Sequence, residues 1–205
     1  MIEVEAKARV TDVRAILRSL KKMGAKEAEE TVQTDTYYSH PSRRFEMSDE
    51  ALRVRASRKG VSIAYKGPKL DRRSKSREEV ELAVSSASTA RALLLRLGFK
   101  PVGVVRKRRR IFRVRGLKVC LDRVEGLGVF LEVEKKVDER RYASTLEKVL
   151  GLLRQLGLDK TERRSYLELI LAPRAQENSK VAGISSRGSL SSRRQTLLSL
   201  GRRVS

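Results

Sequence analysis

The sequence predicts an α+β protein built as an eight-stranded antiparallel β-barrel, a tunnel with a charged interior that is flanked by helices. Three observations lead to this fold class. About eight segments alternate between apolar and polar residues with period two, which is typical of strands. The gaps between most of these segments are short, which favours antiparallel pairing. Three other segments have the apolar spacing of amphipathic helices.

The clearest strand is segment 2–10, which places Glu3, Glu5, Lys7 and Arg9 on one face and apolar residues on the other. The other strand candidates are segments 52–55, 61–66, 78–84, 104–115, 116–124 and 129–134, with a strand-like stretch after each predicted helix. Turn residues at 58–60, 114–116 and 125–128 fit hairpin connections between them.

Each predicted helix ends at a glycine. The helices run from Thr11 or Asp12 to Gly24, from about Ser88 to Gly98, and from about Arg141 to Gly157. Glycine readily adopts the left-handed conformation that closes a helix. We therefore expect three helices that cover an apolar outer surface of the barrel.

Like charges recur in pairs, two residues apart, along the predicted strands. The pairs are Glu3/Glu5, Arg53/Arg55, Glu79/Glu81, Lys107/Arg109 and Glu132/Glu134. Such residues lie about 7 Å apart on one strand face, and like charges at that distance repel by about 2 kcal/mol at an effective dielectric constant of roughly 20. On an exposed sheet, water would screen this repulsion. In a binding site, an oppositely charged ligand would relieve it.

A closed barrel would place the acidic and the basic pairs inside one cavity. The carboxylates, together with Asp122, are hard oxygen ligands that suit Mg²⁺ or Mn²⁺. The arginines and lysines suit phosphate groups, which Arg binds through two parallel hydrogen bonds. A polyphosphate with a divalent metal ion is the ligand whose charges match both sets.

Several of these segments resemble motifs of the CYTH superfamily, the triphosphate tunnel metalloenzymes. Residues 3–7 resemble its ExExK signature, 52–55 its LRxR strand, 66–68 its KGP element, 76–81 the next strand, 107–109 its K-x-R strand and 120–134 its late hairpin. The motifs occur in family order over residues 1–171. The resemblance is strongest to the class IV adenylyl cyclase-like and thiamine triphosphatase-like proteins.

The resemblance implies a barrel open at both ends and a role for each matched residue. Substrate would be bound by Lys7, Arg53, Arg55, Lys66, Lys107 and Arg109. Mg²⁺ or Mn²⁺ would be bound by Glu3, Glu5, Asp122, Glu132 and Glu134. Catalytic roles would belong to Glu5, Lys7 and Asp122, with Arg77, Glu79 and Glu81 as further possible site residues.

The resemblance leaves three functions open. The first is a metal-dependent triphosphatase that hydrolyses tripolyphosphate, thiamine triphosphate or another organic triphosphate. The second is a class IV adenylyl cyclase that converts ATP to cyclic AMP and pyrophosphate, with Tyr37, Tyr38 and Phe45 as candidates for holding the nucleoside. The third is a nucleic-acid- or polyphosphate-binding module. We expect the first, because the sequence shows no clear nucleoside pocket.

Composition limits the kinds of partner, site and cellular location that the protein can have. The formal net charge is +22, which favours an anionic partner. With one cysteine, Cys120, and one histidine, His40, the chain has too few residues for a disulfide, a cysteine-based zinc site or a Ser-His-Asp triad. The acidic first residues and the lack of a long apolar run predict a cytoplasmic protein with no membrane segment. The single Asn and the abundance of Arg, Lys and Glu resemble thermophile compositions.

One folded domain, the tunnel domain, is predicted over residues 1–171, followed by a flexible tail over residues 172–205. The tail is rich in Ser and Arg and has seven basic residues against one acidic residue, a net charge of +6 (7 − 1). The tail and the outward-facing Arg106, Arg108 and Arg110 could bind nucleic acid. The apolar outer faces of the strands could also pair two barrels into a homodimer.

Overall fold

The computed structural model describes residues 1–172, so most of the predicted tail lies outside the described part of the chain. Eight strands form one sheet. They are β1 (Ile2–Val10), β2 (Lys26–Ser39), β3 (Ala51–Ser57), β4 (Gly60–Lys66), β5 (Arg77–Val84), β6 (Lys100–Val114), β7 (Leu117–Val124) and β8 (Gly128–Val137). All neighbours are antiparallel, and β8 pairs with β1 to close a barrel in the order β1-β5-β4-β3-β2-β6-β7-β8. The predicted fold class is confirmed.

The seam between β1 and β5 is completed by segments outside the strands. The two strands pair at only two positions. Farther along β1, the amide of Lys75 donates to the carbonyl oxygen of Glu5 at 2.8 Å, and the amide of Glu162 donates to the carbonyl oxygen of Lys7 at 2.7 Å. The loop between β4 and β5 and the segment after the last long helix therefore satisfy the edge of β1.

Among residues 1–172, three α-helices lie between strands and a fourth follows β8. They are α1 (Val13–Lys22), α2 (Phe45–Ser48), α3 (Ala87–Arg96) and α4 (Tyr142–Gln155), and a further helical segment begins at residue 166. The three predicted helices correspond to α1, α3 and α4. Asp12 caps α1, because its carboxylate accepts from the amide of Ala15 at 2.9 Å, and Ser86 caps α3 in the same way.

The helices cover the outside of the barrel, as the alternation predicts. Helices α1 and α4 pack on β1, β7 and β8 around Val4, Val119, Val133 and Val149, which are fully buried. Helix α3 covers β3 and β4 in a smaller apolar cluster. Because apolar residues face outward into these two clusters, the alternating charged residues face inward.

One end of the barrel is filled. Inward-facing Val105, Val124 and Phe130 form a buried apolar cluster with Tyr166 and Leu169 from the helical segment that begins at residue 166. We call this the closed end of the barrel and the opposite end the open mouth, while the expectation of a tunnel open at both ends stays a prediction. The motifs could not show the filled end, because the residues that fill it lie after the last matched strand.

Gly103 in β6 makes room for this closure. A side chain at position 103 would place its Cβ 2.5 Å from Cδ1 of Leu167, closer than two carbon atoms can approach. Leu167 packs at the edge of the same apolar cluster. The glycine therefore allows the helical segment to lie directly on the barrel end.

Among residues 1–172, no helix is long and apolar enough to cross a membrane. Cys120 is fully buried, and burial raises the pKa of its thiol. His40 lies in the loop after β2, where its ring contacts Phe99. Neither residue lines the tunnel cavity, although Cys120 shares the inward-facing parity of Asp122 in β7.

Candidate active site

The tunnel encloses a cavity of about 140 Å³ whose walls are almost entirely charged. The alternation of β1 directs Glu3 and Glu5 inward, and the same parity brings Glu132 and Glu134 inward from the neighbouring β8. Strands β3 and β6 contribute the arginines and lysines of their own inward faces. Of the charged pairs identified in the sequence, every member contributes to the cavity lining.

Three buried carboxylates form a cluster near the open mouth. Oxygen atoms of Glu3, Glu5 and Glu134 lie within 4.8 Å of one another. Glu5 and Glu134 are directly opposite in the β1–β8 register, which accounts for their approach. Carboxylate oxygens in this arrangement are the donor set that Mg²⁺ and Mn²⁺ prefer. We call these three residues the carboxylate trio.

Lysines neutralise the trio. Lys66 forms an ion pair with Glu3, Lys75 with Glu5, and Lys118 with Glu134. Burial raises the pKa of Glu5, and the neighbouring Glu132 raises it further, while Lys75 opposes both effects. Protons therefore compete with cations for this carboxylate more than they would at an exposed glutamate.

Glu132 lies between the trio and the cations of β6. It forms ion pairs with Lys75, at 3.3 Å, and with Arg109. Burial opposes ionisation, but Lys75 and Arg109 hold the pKa of Glu132 well below its usual range. Glu132 is thus a permanent negative charge that joins the acidic and basic halves of the cavity.

Asp122 is not brought together with the trio. It lies opposite Arg109 in the β6–β7 register, and its two oxygens accept from that guanidinium at 2.7 and 2.5 Å. The hydroxyl of Tyr166 also donates to Asp122 at 2.9 Å. Asp122 is fully buried near the closed end and does not line the cavity. The predicted metal ligand therefore orients an arginine in this structure.

A second buried carboxylate, Asp35 of β2, was missed by the sequence reasoning. Its oxygens accept from Arg55 at 2.6 and 2.7 Å, and Arg53 and Lys107 lie 3.7 and 3.8 Å away. Burial opposes its charge, but these cations hold the pKa of Asp35 well below its usual range. The alternation of polar residues Thr31, Gln33 and Asp35 in β2 could have indicated that Asp35 faces inward. It was missed because Asp35 is not part of a like-charged pair.

The predicted phosphate-binding residues of β3, β4 and β6 all line the cavity. Within residues 1–172, Nε of buried Arg53 has no hydrogen-bond partner. Lys66 contacts Glu79 at 3.4 Å in addition to Glu3. Burial and the adjacent Arg109 lower the pKa of Lys107 to about 8. These cations crowd one another, so an anion in the cavity would relieve their repulsion.

Lys7 lies behind the cavity wall. It is fully buried, its ammonium donates to the carbonyl oxygen of Arg164 at 2.6 Å, and it lies 4.0 Å from the ring centroid of Tyr166. Burial and the neighbouring Lys75 lower its pKa to about 7. The structure therefore places the lysine of the ExExK motif against the closing segment and not along the cavity.

Lys75 is the second residue that the sequence reasoning missed. It lies in the loop between β4 and β5, and its ammonium enters the cavity between Glu5 and Glu132. Both carboxylates raise the pKa of Lys75 despite its burial. No strand periodicity extends to this loop, so the sequence carried no signal for it.

The three further candidates differ in their contacts. Arg77 donates to the carbonyl oxygens of Asp49 at 3.0 Å and Gly67 at 3.3 Å, so it fixes the loops beside the mouth. Glu79 contacts the cations of the cavity, whereas Glu81 lies at the mouth, where the hydroxyl of Ser62 donates to it at 2.8 Å.

A family model described as the CYTH domain matches residues 1–166. The chain belongs to the CYTH family. The match spans all eight strands and ends at Tyr166, so the CYTH domain includes the tunnel and the segment that begins to close it. CYTH proteins are metal-dependent, and the carboxylate trio is the place in this CYTH domain whose donor atoms fit an ion.

Two curated relatives share most of this CYTH domain. A candidate adenylate cyclase of Methanocaldococcus jannaschii is 40% identical over 172 residues, which cover 82% of this chain and 98% of the relative. The adenylate cyclase CyaB of Aeromonas hydrophila is 30% identical, over 82% of this chain and 87% of the relative. With the family match, these relatives support an enzyme that acts on triphosphates.

Solved structures of CYTH-like proteins have the same fold. A Pyrococcus horikoshii protein matches with a TM-score of 0.77 and 40% identity, over 84% of this chain and 99% of its own. A candidate adenylate cyclase of Vibrio parahaemolyticus matches with a TM-score of 0.71 and 27% identity, over 83% of this chain and 98% of its own.

Proposed function

We propose that this protein is a divalent-metal-dependent triphosphatase. The observation that carries this proposal is the lining of the cavity, which combines the carboxylate trio with buried cations such as Arg53, Lys107 and Arg109. A triphosphate with a bound metal ion is the small molecule that matches both charge sets. Within residues 1–172, the cavity wall offers Tyr37, Ala51, Ser165 and Tyr166 as its uncharged residues.

The trio would hold Mg²⁺ or Mn²⁺, which when bound polarises phosphoryl oxygens and neutralises their charge. The basic residues of the cavity would hold the phosphate chain. Arg53 has an unpartnered Nε for this purpose among the described residues. Asp35 and Asp122 keep Arg55 and Arg109 in fixed orientations, so the site is organised before substrate enters.

Hydrolysis would require only that the terminal phosphorus and a water molecule be positioned. The water oxygen forms a bond to phosphorus, the bridging P–O bond breaks, and the diphosphate leaves with the electron pair while the water releases a proton. Charge on the transferring phosphoryl group is spread over its oxygens, so cations along the tunnel lower the barrier. No nucleoside contact is needed.

Cyclisation of ATP is the second candidate function, and the names of the two curated relatives favour it. Here the ribose 3′-hydroxyl attacks the α-phosphorus and pyrophosphate leaves, which requires the nucleoside to be held. Tyr38 and Phe45, two of the predicted nucleoside contacts, are buried in the outer cluster under α3, and only Tyr37 lines the cavity. The described residues therefore favour hydrolysis over cyclisation.

The test is incubation of the full chain with tripolyphosphate, thiamine triphosphate or ATP, with Mg²⁺ or Mn²⁺ in turn. We expect phosphate release from tripolyphosphate that stops when the metal is chelated. Cyclic AMP with pyrophosphate from ATP would establish the cyclase in its place. No turnover with any substrate, together with tight binding of RNA or polyphosphate, would support the binding module and reject the enzyme.

A matched pair of variants tests the metal site. Glu5→Gln keeps the shape of the side chain and removes one charge of the trio, so turnover should fall by more than the roughly 10–100-fold that metal-site neighbours are worth. Glu27→Gln removes an exposed carboxylate of β2 that pairs with Arg110, and it should leave turnover unchanged. Full activity of Glu5→Gln, with circular dichroism showing both variants folded, would remove Glu5 from the site.

A further inference from the structure

The loop between β4 and β5, residues 67–76, carries one lysine into the tunnel cavity. The ammonium of Lys75 forms ion pairs with Glu5 and, at 3.3 Å, with Glu132. Lys75 is buried and lines the cavity, although it belongs to no strand of the barrel. A positive charge from a loop therefore lies between carboxylates of two neighbouring strands.

These two carboxylates need a cation between them. In the β1–β8 register Glu5 lies opposite Glu134 and Glu132 lies opposite Lys7, so Glu5 and Glu132 are diagonal neighbours on the inward face. Both are buried, and salt screens buried charges much less than exposed ones. Lys75 contacts both carboxylates and offsets their repulsion.

Glu5 also belongs to the carboxylate trio. The other two members of the trio pair with Lys66 and Lys118, which project from strands β4 and β7. The side chains of Lys66 and Lys118 are 17% and 31% exposed, whereas that of Lys75 is 10% exposed. Of these three lysines, Lys75 therefore acts on the trio with the least screening by water.

Buried polar contacts hold the backbone of the loop in place. The amide of Glu5 donates to the hydroxyl oxygen of Ser76 at 3.2 Å, which ties the loop to β1. The hydroxyl of Ser74 donates to the carboxylate of Asp71 at 2.5 Å, and Tyr142 of α4 donates to the same carboxylate. Both serines are buried. The ammonium can thus move by rotation of its flexible four-carbon side chain while the loop stays fixed.

A divalent ion held by the trio and the ammonium of Lys75 would both lie against Glu5. At a separation of a few ångströms in a buried space, these two positive charges would repel each other strongly. Lys75 already contacts Glu132, which lies outside the trio. Its ammonium can therefore turn from Glu5 toward Glu132 and stay paired with a carboxylate.

We propose that Lys75 is an internal counter-cation that competes with a divalent ion for Glu5 and so lowers the affinity of the carboxylate trio for metal. The proposal rests on the metal site of the proposed function and assigns to Lys75 the setting of its affinity. Glu132 is the carboxylate that keeps the ammonium when it leaves Glu5.

The test measures Mn²⁺ binding to the full chain with no phosphate compound present. Lys75→Met removes the charge and keeps an unbranched side chain. Lys75→Gln is measured in parallel, because its amide can still donate to Glu5 if the Met variant fails to fold. Lys59→Met is the matched control, since Lys59 pairs with Glu29 at the exposed turn between β3 and β4. Electron paramagnetic resonance of free Mn²⁺ gives the affinity, and thermal denaturation with and without Mn²⁺ gives the stability.

We expect both Lys75 variants to bind Mn²⁺ roughly 10–100-fold more tightly than the wild type, the range that groups around metal ligands are worth. The control should bind it with unchanged affinity. Without metal, both Lys75 variants should melt below the wild type, because Glu5 and Glu132 then repel each other. Saturating Mn²⁺ should reduce this difference in stability by the amount that the change in affinity requires, about 1.4 kcal/mol for each tenfold.

Unchanged or weaker Mn²⁺ binding by both Lys75 variants would overturn the proposal. An equal loss of Tm with and without Mn²⁺ would also overturn it, because Lys75 would then serve only to pack the loop. Equal tightening in Lys59→Met would do the same, by showing a general effect of net charge.

The proposed function fails on different results. Absence of Mn²⁺ binding by the wild type and by every variant would reject the metal site, and the role of Lys75 with it. Mn²⁺ binding that is tighter in the Lys75 variants, without phosphate release from tripolyphosphate by the wild type, would reject the triphosphatase and support the role of Lys75.

Discussion

At the scale of single residues, buried carboxylates of this protein have two different environments. Glu3, Glu5 and Glu134 approach one another near the mouth, whereas Asp35 and Asp122 each grip an arginine through two hydrogen bonds. Sequence parity alone cannot separate these environments, because both kinds of carboxylate face inward. The partner across the strand register decides which role each one has.

Asp35→Asn should weaken substrate binding and lower stability. The change leaves Arg55 and Arg53 without their shared buried carboxylate, and loss of one member of a buried ion pair costs about 3 kcal/mol. Urea denaturation should show this loss, and KM for tripolyphosphate should rise more than kcat falls. Glu27→Gln breaks an exposed pair and should cost less than about 1 kcal/mol. Equal stabilities of the two variants would contradict the conclusion that Asp35 is a buried ion-pair partner of Arg53 and Arg55.

Lys7→Met should change the pH dependence of stability. Burial lowers the pKa of Lys7 from 10.5 to about 7 in the folded protein, so unfolding takes up a proton between these values. The folded wild type therefore gains stability from this residue as pH rises from 7 to 10.5, by up to about 1.4 kcal/mol per pH unit. The difference in unfolding free energy between wild type and variant should shift by about 2 kcal/mol in favour of wild type from pH 7 to pH 9.

Denaturant titrations of both proteins at the two pH values measure this shift. A constant difference would mean that the Lys7 ammonium stays charged in the fold, held by the carbonyl oxygen of Arg164 and the ring of Tyr166.

At the scale of elements, two segments outside the barrel strands complete the site. The loop between β4 and β5 carries Lys75 into the cavity, and the segment after α4 carries Tyr166 into the closed end. Both run along the edge of β1 that β5 leaves unpaired. The guanidinium of Arg163 joins them by donating to the carbonyl oxygen of Asp71 at 2.9 Å. The barrel seam and the site are therefore formed by the same contacts.

Gly103→Ala should disturb the closed end. The new methyl group would meet Leu167 at 2.5 Å, so the helical segment must shift or repack, at a cost of about 1–3 kcal/mol. Turnover should fall as well, because Tyr166 lies in the same segment. Gly151→Ala in α4 is the control, since its methyl group has no close contact and should stabilise the helix by about 0.5–1 kcal/mol. Thermal denaturation measures both changes in stability. An unchanged Tm for Gly103→Ala would show that the helical segment beginning at residue 166 moves away from the new methyl group at no cost.

At the scale of the whole molecule, charge is distributed unevenly between the inside and the outside. The barrel packs its apolar residues outward against the helices and keeps its cations in a narrow buried space. Repulsion among these cations is a cost of folding that an anionic ligand removes. The net charge of +22 therefore acts in two places. Buried cations attract an anion into the tunnel, and exposed cations make the surface potential positive.

Tripolyphosphate should stabilise the protein strongly even without metal. At a concentration 100 times its Kd, a ligand adds about 2.7 kcal/mol to the unfolding free energy, which for a domain of this size raises Tm by about 5–10 °C. Thermal denaturation in EDTA measures the shift, and sulfate at equal ionic strength should give much less. Glu5→Gln should retain the shift, because the cations remain. Equal shifts with both anions would mean that the tunnel does not select a phosphate chain.

The sequence by itself determined most of the strands along the chain, the three long helices and the inward direction of the paired charges, whereas the order of the strands in the sheet came from the structure. It could do so because alternation with period two and glycine-terminated amphipathic segments are local properties. Asp35, Lys75 and Tyr166 were decided only by the tertiary structure. Their positions depend on register across the barrel and on loops that return along its open seam, and those contacts join residues that are far apart in the chain.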